Sequence, residues 1–219
     1  MHQSVQNLIN IENKIKLNLA NLQNKDLPRI IAVSKTFSIE HILPLINYGH
    51  KNFGENKVQE AIEKWTDLKA KNENLKLHMI GRLQTNKVKS ALTVFDYIHS
   101  VDSLKLAKKI SDEQNKINKK VKIFIQVNIG NEDQKSGIKK DEIKNLVTYC
   151  QELNLDLLGL MCIPPMNVDP IFYFKEMYSI NKSFGFSELS MGMSSDFQQA
   201  IEYSSTYLRI GSSIFGKRF

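Results

Sequence analysis

Strand-like and helix-like segments alternate along this 219-residue chain, and the alternation constrains its fold more than any single motif does. Short apolar runs typical of buried strands recur eight times, at residues 29–35, 51–54, 75–80, 97–100, 121–127, 155–161, 188–191 and 207–210. Between these runs lie segments whose apolar residues recur at the spacing of an amphipathic helix. This order predicts parallel strands joined by right-handed helical crossovers.

The number of units favours a closed sheet. Eight of them in a chain of this length predict an α/β fold, a single-domain (β/α)8 barrel of the TIM type covering residues 1–219. A helix at residues 4–24 precedes the first strand, and we expect it to pack on the barrel through apolar residues such as Leu8 and Ile15. An open doubly wound sheet is the alternative. Such a sheet normally has a glycine-rich turn after its first strand, whereas residues 34–38 contain no glycine.

Composition excludes several classes of partner. The formal net charge of +7 permits a polyanionic ligand, but the lysines between Lys105 and Lys122 lack interleaved aromatic residues. Asp112 and Glu113 interrupt that run, which is typical of a solvated helix face, so we expect no nucleic-acid partner. No stretch approaches the ~18 apolar residues that a membrane span requires.

The cysteines and histidines give no sign of a disulfide or a metal site. Cys150 and Cys162 lack CxxC spacing and fall in apolar patterns, which predicts buried free thiols. The histidines show no i, i+4 pair, so no metal is expected. Because the N-terminus lacks the pattern of a signal peptide, we expect a cytoplasmic protein.

Lys35 closes the first apolar run and is a candidate nucleophile. An amine at the end of a buried strand is partly desolvated, which favours its uncharged form and frees a lone pair for attack on a carbonyl. The alternative is a lysine that simply ends a strand in solvent. The sequence around Lys35 leaves both interpretations open.

Small residues follow the last two strands, at 191–195 and 209–213. Loops after strands seven and eight usually form the phosphate site of such barrels, where backbone N–H groups and a helix dipole favour an anion. Ordinary turn chemistry is the alternative. Arg209 lies near the end of strand eight, where it would form a structural salt bridge or contact a heteroaromatic nitrogen. Together with Lys35, these features describe a site for pyridoxal phosphate (PLP).

Several segments match a known family in its order along the chain: residues 32–36, 53–60, 78–87, 135–137, 159–161, 189–197 and 208–216. On these segments the chain resembles the pyridoxal phosphate homeostasis protein family, whose barrel is similar to the N-terminal domain of alanine racemase. The resemblance implies a TIM-type barrel that holds pyridoxal 5'-phosphate as a covalent aldimine on Lys35.

The resemblance also assigns the other binding residues. It implies that the phosphate is held by Ser194, Ser195, Gly211 and Ser212. Arg209 would face the pyridine nitrogen, and Asn56 would line the pocket near the aldimine. An arginine cannot readily accept a proton, so the ring would be a poorer electron sink than one paired with a carboxylate.

The resemblance therefore implies a reversible PLP carrier in vitamin B6 homeostasis, with no catalytic residues and no substrate reaction of its own. The expected state is a monomer, and PLP-dependent apoenzymes are the expected recipients of the cofactor. A PLP-dependent amino-acid racemase of low activity is the alternative. A Schiff-base aldolase or sugar-phosphate isomerase that uses Lys35 without a cofactor is a third hypothesis.

The chain departs from the family pattern beside Lys35. The family often has a second lysine and a proline there, where this chain has Phe37 and Ser38, so exchange of the cofactor between neighbouring lysines is in doubt. Lys135 lies in a family-like Lys-Ser-Gly loop and could be a secondary acceptor or a solvated loop lysine.

Overall fold

A computed structural model describes residues 1–22 and 27–216. Eight parallel strands form a closed barrel in the order β1 to β8, and β1 pairs with both β2 and β8. The strands are β1 (Arg29–Val33), β2 (Asn52–Glu55), β3 (Lys76–Met79), β4 (Tyr97–Val101), β5 (Lys122–Val127), β6 (Asp156–Cys162), β7 (Glu188–Met193) and β8 (Tyr207–Ile210). The barrel prediction is confirmed, and the open sheet is excluded because pairing of β8 with β1 closes the sheet.

Helices surround this barrel in the expected alternation. They are α1 (Gln3–Asn21), α2 (Ile39–Tyr48), α3 (Val58–Lys71), α4 (Val88–Val94), α5 (Leu104–Lys116), α6 (Ile143–Glu152), α7 (Ile171–Ser183), α8 (Phe197–Glu202) and α9 (Ser212–Phe215). Helix α4 continues a single 3-10 turn at residues 85–87. Helix α9 follows β8 after Gly211 and is the last helix in the described part of the chain.

Helix α1 packs against the C-terminal helices α8 and α9. Its face of Leu8, Ile11 and Ile15 is buried, and the Asn7 side-chain amide donates a hydrogen bond of 2.9 Å to the carbonyl of Ile214. The helix predicted at 4–24 ends at Asn21 in the structure, and residues 23–26 lie outside the described residues. That one domain spans residues 1–219 stays a prediction.

The interior of the barrel has a small apolar cluster of its own. Ile31, Phe124, Met161 and Tyr207 pack together, separately from the large core between sheet and helices. They come from two pairs of neighbouring strands, β1 with β8 and β5 with β6, and these pairs lie on opposite sides of the barrel. Their side chains can meet only across the barrel axis. Both cysteines are buried free thiols, as predicted, and burial raises the pKa of each to about 12.

The first strand ends earlier than its apolar run does. Strand β1 stops at Val33, and Lys35 lies in the turn that follows, not at the end of the strand. The Ser34 N–H still donates to the Gly54 carbonyl of β2, and the Phe37 N–H then donates back to the Ser34 carbonyl and closes the turn. The apolar pattern could not mark this end, because Ser34 and Phe37 are buried as fully as the strand itself.

The described residues lack two features that would change the class of protein. No helix in residues 1–22 and 27–216 has the length and apolar character needed to cross a membrane. The same residues contain no group of three or more His, Cys, Asp or Glu side chains arranged to hold a metal ion.

We predict that stability falls in mild acid because of His50. Its Nε2 donates to the Asn52 carbonyl at 2.8 Å, and burial lowers its pKa from 6.5 to about 4. The unfolded chain therefore takes up a proton at higher pH than the folded one, so stability is intact above about pH 6.5 and is lost as the pH falls towards about 4. The loss reaches about 3 kcal/mol for this residue.

Urea unfolding between pH 7 and pH 4 measures this effect. The variant His50→Gln should have a flatter decline than the wild-type protein over the same range, whatever its stability at pH 7. Parallel pH profiles for the two proteins would contradict the assignment to His50.

Candidate functional site

A cavity of about 450 Å³ opens at the carboxyl ends of the strands, between the loops that follow β1, β7 and β8. The residues on its wall include six of those predicted from sequence: Lys35, Ser194, Ser195, Arg209, Gly211 and Ser212. Val33, Ile80 and Ile163 supply apolar surface on the same wall. The tertiary structure thus brings together residues from opposite ends of the chain, because closure of the barrel makes β8 a neighbour of β1.

Lys35 occupies the turn between β1 and α2 and is partly buried. The next residue, Thr36, has a φ angle of 69°, which is uncommon for any residue but glycine and strained for a β-branched one. Phe37, which stands where the family often has a second lysine, is buried and stacks on Phe215 at 4.8 Å. The turn therefore places one lysine, Lys35, on the cavity wall, and position 37 serves in packing.

The loops after β7 and β8 are joined by the hydroxyl group of Ser194. Its Oγ accepts hydrogen bonds from the backbone N–H groups of Gly211 at 3.2 Å and Ser213 at 3.3 Å. The Ser213 hydroxyl donates in return to the Ser194 carbonyl at 3.4 Å. Two backbone N–H groups therefore converge on the Ser194 hydroxyl oxygen, which holds the two loops together at the mouth of the cavity.

Arg209 is buried at the base of the cavity and is held by neutral groups. One guanidinium nitrogen donates to the Ser190 hydroxyl at 2.6 Å and the other to the Cys162 carbonyl at 2.8 Å. Burial lowers the pKa of the guanidinium, which the charge of Asp196 partly opposes. The structural salt bridge considered from the sequence is not found: no ion pair within residues 1–22 and 27–216 includes Arg209.

A chain of hydrogen bonds runs from Arg209 down the inside of the barrel. The Ser190 hydroxyl lies 2.9 Å from Nδ1 of His99, Nε2 of His99 lies 3.0 Å from Nδ1 of His78, and Nε2 of His78 lies 3.1 Å from Oδ1 of Asn52. Burial lowers the pKa of both histidines well below 6.5, so both imidazoles are neutral. Ser190 and Asn52 gave no signal in the sequence that would indicate their place in this chain.

Only one direction of donation satisfies both ends of this chain. Arginine can only donate, and the Asn52 Oδ1 can only accept. With neutral rings, each His Nε2 must then carry the proton and each Nδ1 must accept one, from Ser190 in the case of His99. The acceptor oxygen of Asn52 therefore fixes the orientation of both rings, and the Ser190 hydroxyl can accept from Arg209 while it donates to His99.

Asn56 and Lys135 stand apart from this cavity. Asn56 follows β2, is not on the cavity wall, and its Oδ1 is buried with no hydrogen-bond partner among the described residues. Lys135 lines a separate cavity of about 310 Å³ together with Arg82. Its ammonium group is 2.6 Å from the Glu132 carboxylate and donates to the Pro164 carbonyl at 3.1 Å. Both remain predictions as cofactor-binding residues.

The fold and the cavity define a class: a TIM-type barrel with an amine, a guanidinium group and an oxygen-binding cradle at its mouth. Comparison with known proteins agrees. The family model described as alanine racemase, N-terminal domain, matches residues 10–218. The pyridoxal phosphate homeostasis protein of Aquifex aeolicus is 40% identical over 200 residues, which are 87% of this chain and 87% of that protein.

Two further relatives give the same result. The pyridoxal phosphate homeostasis protein of Pasteurella multocida is 38% identical over 201 residues, with 87% of this chain and 86% of that protein covered. PipY of Synechococcus elongatus, solved with PLP bound, is 30% identical with a TM-score of 0.80 and covers 92% of this chain and 100% of its own. The chain therefore belongs to the alanine racemase N-terminal domain family and, within it, to the pyridoxal phosphate homeostasis proteins, which confirms the resemblance seen in the sequence.

We predict that the hydroxyl of Ser190 stabilises the fold, whereas that of Ser100 does not. Ser190→Ala removes the acceptor of a buried guanidinium and the partner of His99, which should lower the free energy of unfolding by about 1–3 kcal/mol. Ser100 is equally buried, but its Oγ has no partner among the described residues. Ser100→Ala should therefore leave stability unchanged or raise it. Urea unfolding of both variants tests the contrast, and equal losses would refute it.

Proposed function

We propose that this chain binds pyridoxal 5'-phosphate reversibly at the 450 Å³ cavity and serves in the homeostasis of that cofactor. The observation that carries the proposal is the presence of Lys35, Arg209 and the Ser194 loop on one cavity wall. The relative PipY, whose structure contains PLP, supports it through similarity over 92% of this chain.

The residues present fit this cofactor. A cavity of about 450 Å³ lies within the size range of small-ligand sites, which is roughly 300–1,000 Å³. The amine of Lys35 is suited to the aldehyde, and the N–H and hydroxyl groups of Ser194, Ser195, Gly211 and Ser212 are suited to the phosphate. The guanidinium group of Arg209 can donate a hydrogen bond to the ring nitrogen of the cofactor.

Lys35 holds the cofactor covalently in this proposal. Its nitrogen bonds to the aldehyde carbon and one water molecule leaves, which gives a Schiff base that water can reverse. The reverse reaction releases the intact aldehyde, so the same step serves for uptake and release. Asn56 is proposed to approach this end of the cofactor from the β2 loop.

Arg209 favours storage of the cofactor over carbanion chemistry. A guanidinium group keeps its protons, so it donates to the ring nitrogen and leaves that nitrogen unprotonated. A ring in this state withdraws electrons weakly from a bound amine. Because the hydrogen-bond chain from Ser190 to Asn52 holds neutral groups only, it offers no acid that could protonate the ring instead.

The cavity wall supports a role without turnover. Racemisation requires a proton donor or acceptor on each face of the cofactor. Among the described residues that line the cavity, none is a histidine, aspartate, glutamate, tyrosine or cysteine, so Lys35 is the one group there suited to proton transfer. A racemase of low activity is therefore the less supported alternative. The monomeric state, the cytoplasmic location and transfer to PLP-dependent apoenzymes stay predictions.

Borohydride reduction of the PLP-loaded protein, followed by peptide mass mapping, tests the binding site. We expect a pyridoxyl group on Lys35, and Lys35→Ala should abolish the main adduct. Lys105→Ala, which removes an exposed lysine far along the chain on α5, should leave the adduct unchanged. Label distributed evenly over surface lysines would contradict the proposal.

An assay with both enantiomers of alanine and serine tests the absence of turnover. We expect rates far below the roughly 1–10³ per second of ordinary enzymes, because a second acid/base group is missing from the cavity wall. Turnover within that range, abolished by Lys35→Ala, would replace the carrier function with that of a racemase.

A further inference from the structure

The backbone beside Lys35 is strained. Thr36 has a φ angle of 69°, and a threonine in this region suffers crowding between its branched side chain and the backbone. Strained residues persist only where their surroundings hold them, and they are concentrated at functional sites. Thr36 is exposed, so packing of its side chain does not impose this conformation.

A carboxylate from helix α3 holds the strained residue. The backbone N–H of Thr36 donates to Oε1 of Glu60 at 2.8 Å. The same oxygen of Glu60 lies 2.9 Å from the ammonium group of Lys64, one turn further along α3. The acceptor of the Thr36 N–H group is therefore a carboxylate that is itself held by an ion pair with Lys64.

Lys64 also holds the residue on the other side of Lys35. Its ammonium group donates to the carbonyl of Ser34 at 3.1 Å and to Oε1 of Glu55 at 3.0 Å. The Ser34 hydroxyl donates to the same Glu55 oxygen at 2.7 Å, and Glu55 is fully buried. Residues 34 and 36 are therefore fixed by one connected group of charges, which we name the α3 clamp: Glu55, Glu60 and Lys64.

We propose that Glu60 and Lys64 are positioning residues, which hold the backbone on both sides of Lys35 so that its amine is presented to the cavity. This inference rests on the proposed function of Lys35. Without the clamp, Thr36 would relax to a negative φ angle, and that rotation would redirect the chain at the attachment point of the amine. A displacement of about 1 Å is enough to weaken a covalent or catalytic contact by orders of magnitude.

The ion pairs of the clamp differ from a surface salt bridge. The Lys64 side chain is 9% exposed and the Glu55 side chain 0%, so both are largely removed from water. Two carboxylates share a single ammonium group, and each also accepts a hydrogen bond from the turn that carries Lys35. A helix that needed only to pack on the barrel would not need charges directed at this turn.

The test combines Glu60→Ala with a matched control, Glu63→Ala. Glu63 lies on the same helix but is exposed and contacts Gln59. Glu60→Ala should weaken PLP binding on the order of tenfold and reduce the borohydride adduct on Lys35, while thermal unfolding stays close to wild type. Glu63→Ala should change neither. Loss of affinity in both variants to the same extent would overturn the inference.

A readout without cofactor separates this inference from the proposed function. Hydrogen exchange at residues 34–37 of the PLP-free protein should accelerate in Glu60→Ala, because the Thr36 N–H loses its acceptor. If the wild type forms no Lys35 adduct, the proposed function fails and this inference with it. If the adduct forms and exchange accelerates while PLP affinity is unchanged, only the positioning role is overturned.

Glycine at position 36 tests the strain itself. Glycine adopts positive φ angles without steric penalty, so Thr36→Gly should make the clamp less necessary. Glu60→Ala should then weaken PLP binding by a smaller factor in the Thr36→Gly background than in the wild type. Equal factors in the two backgrounds would show that the clamp does not act on this turn. Lys64→Arg should retain most of the affinity that Lys64→Met loses, since arginine can pair with both carboxylates.

Discussion

The buried guanidinium group of Arg209 imposes order on the inside of this barrel. A cation in such a place must have its protons accepted, and here a hydroxyl and a carbonyl oxygen do so at 2.6 and 2.8 Å. From Ser190 the chain of hydrogen bonds continues through His99 and His78 to Asn52 at the far end of the barrel. The amide oxygen of Asn52 can only accept, and this fixes the direction of donation along the chain. Burial keeps both buried histidines neutral, and the charge of Arg209 adds to the lowered pKa of His99.

The same arrangement explains why the mouth of the barrel suits reversible binding. Arg209 presents donors to the cavity, the Ser194 loop presents N–H groups and hydroxyls, and Lys35 presents an amine. In the proposed function, all three act on the cofactor by attraction or by a single reversible condensation. The groups behind them that form the hydrogen-bond chain from Ser190 to Asn52 are neutral. A site of this kind is suited to an aldehyde cofactor, in agreement with the proposed function.

Much of the architecture could be predicted from the sequence, because each strand and helix is recognised from residues close together in the chain. The eight strands and the amphipathic helices were found to within a few residues, and the serine and glycine loops after β7 and β8 lie on the expected cavity. The end of β1 was placed wrongly, since Ser34 and Phe37 are buried for reasons that lie in other segments. The roles of Ser190 and Asn52 gave no local signal at all, because their partners are on strands far away in the chain.

The sequence by itself determined the type of each element, their order and the residue types available at the strand ends, because hydrophobic periodicity and turn chemistry are local properties. Closure of the sheet decided the rest. It placed β8 beside β1 and so brought Arg209 and the last serine loop to Lys35. It also set which side chains meet across the barrel axis and which charges of α3 reach the turn at Thr36, and these depend on strand stagger and helix packing that no single segment encodes.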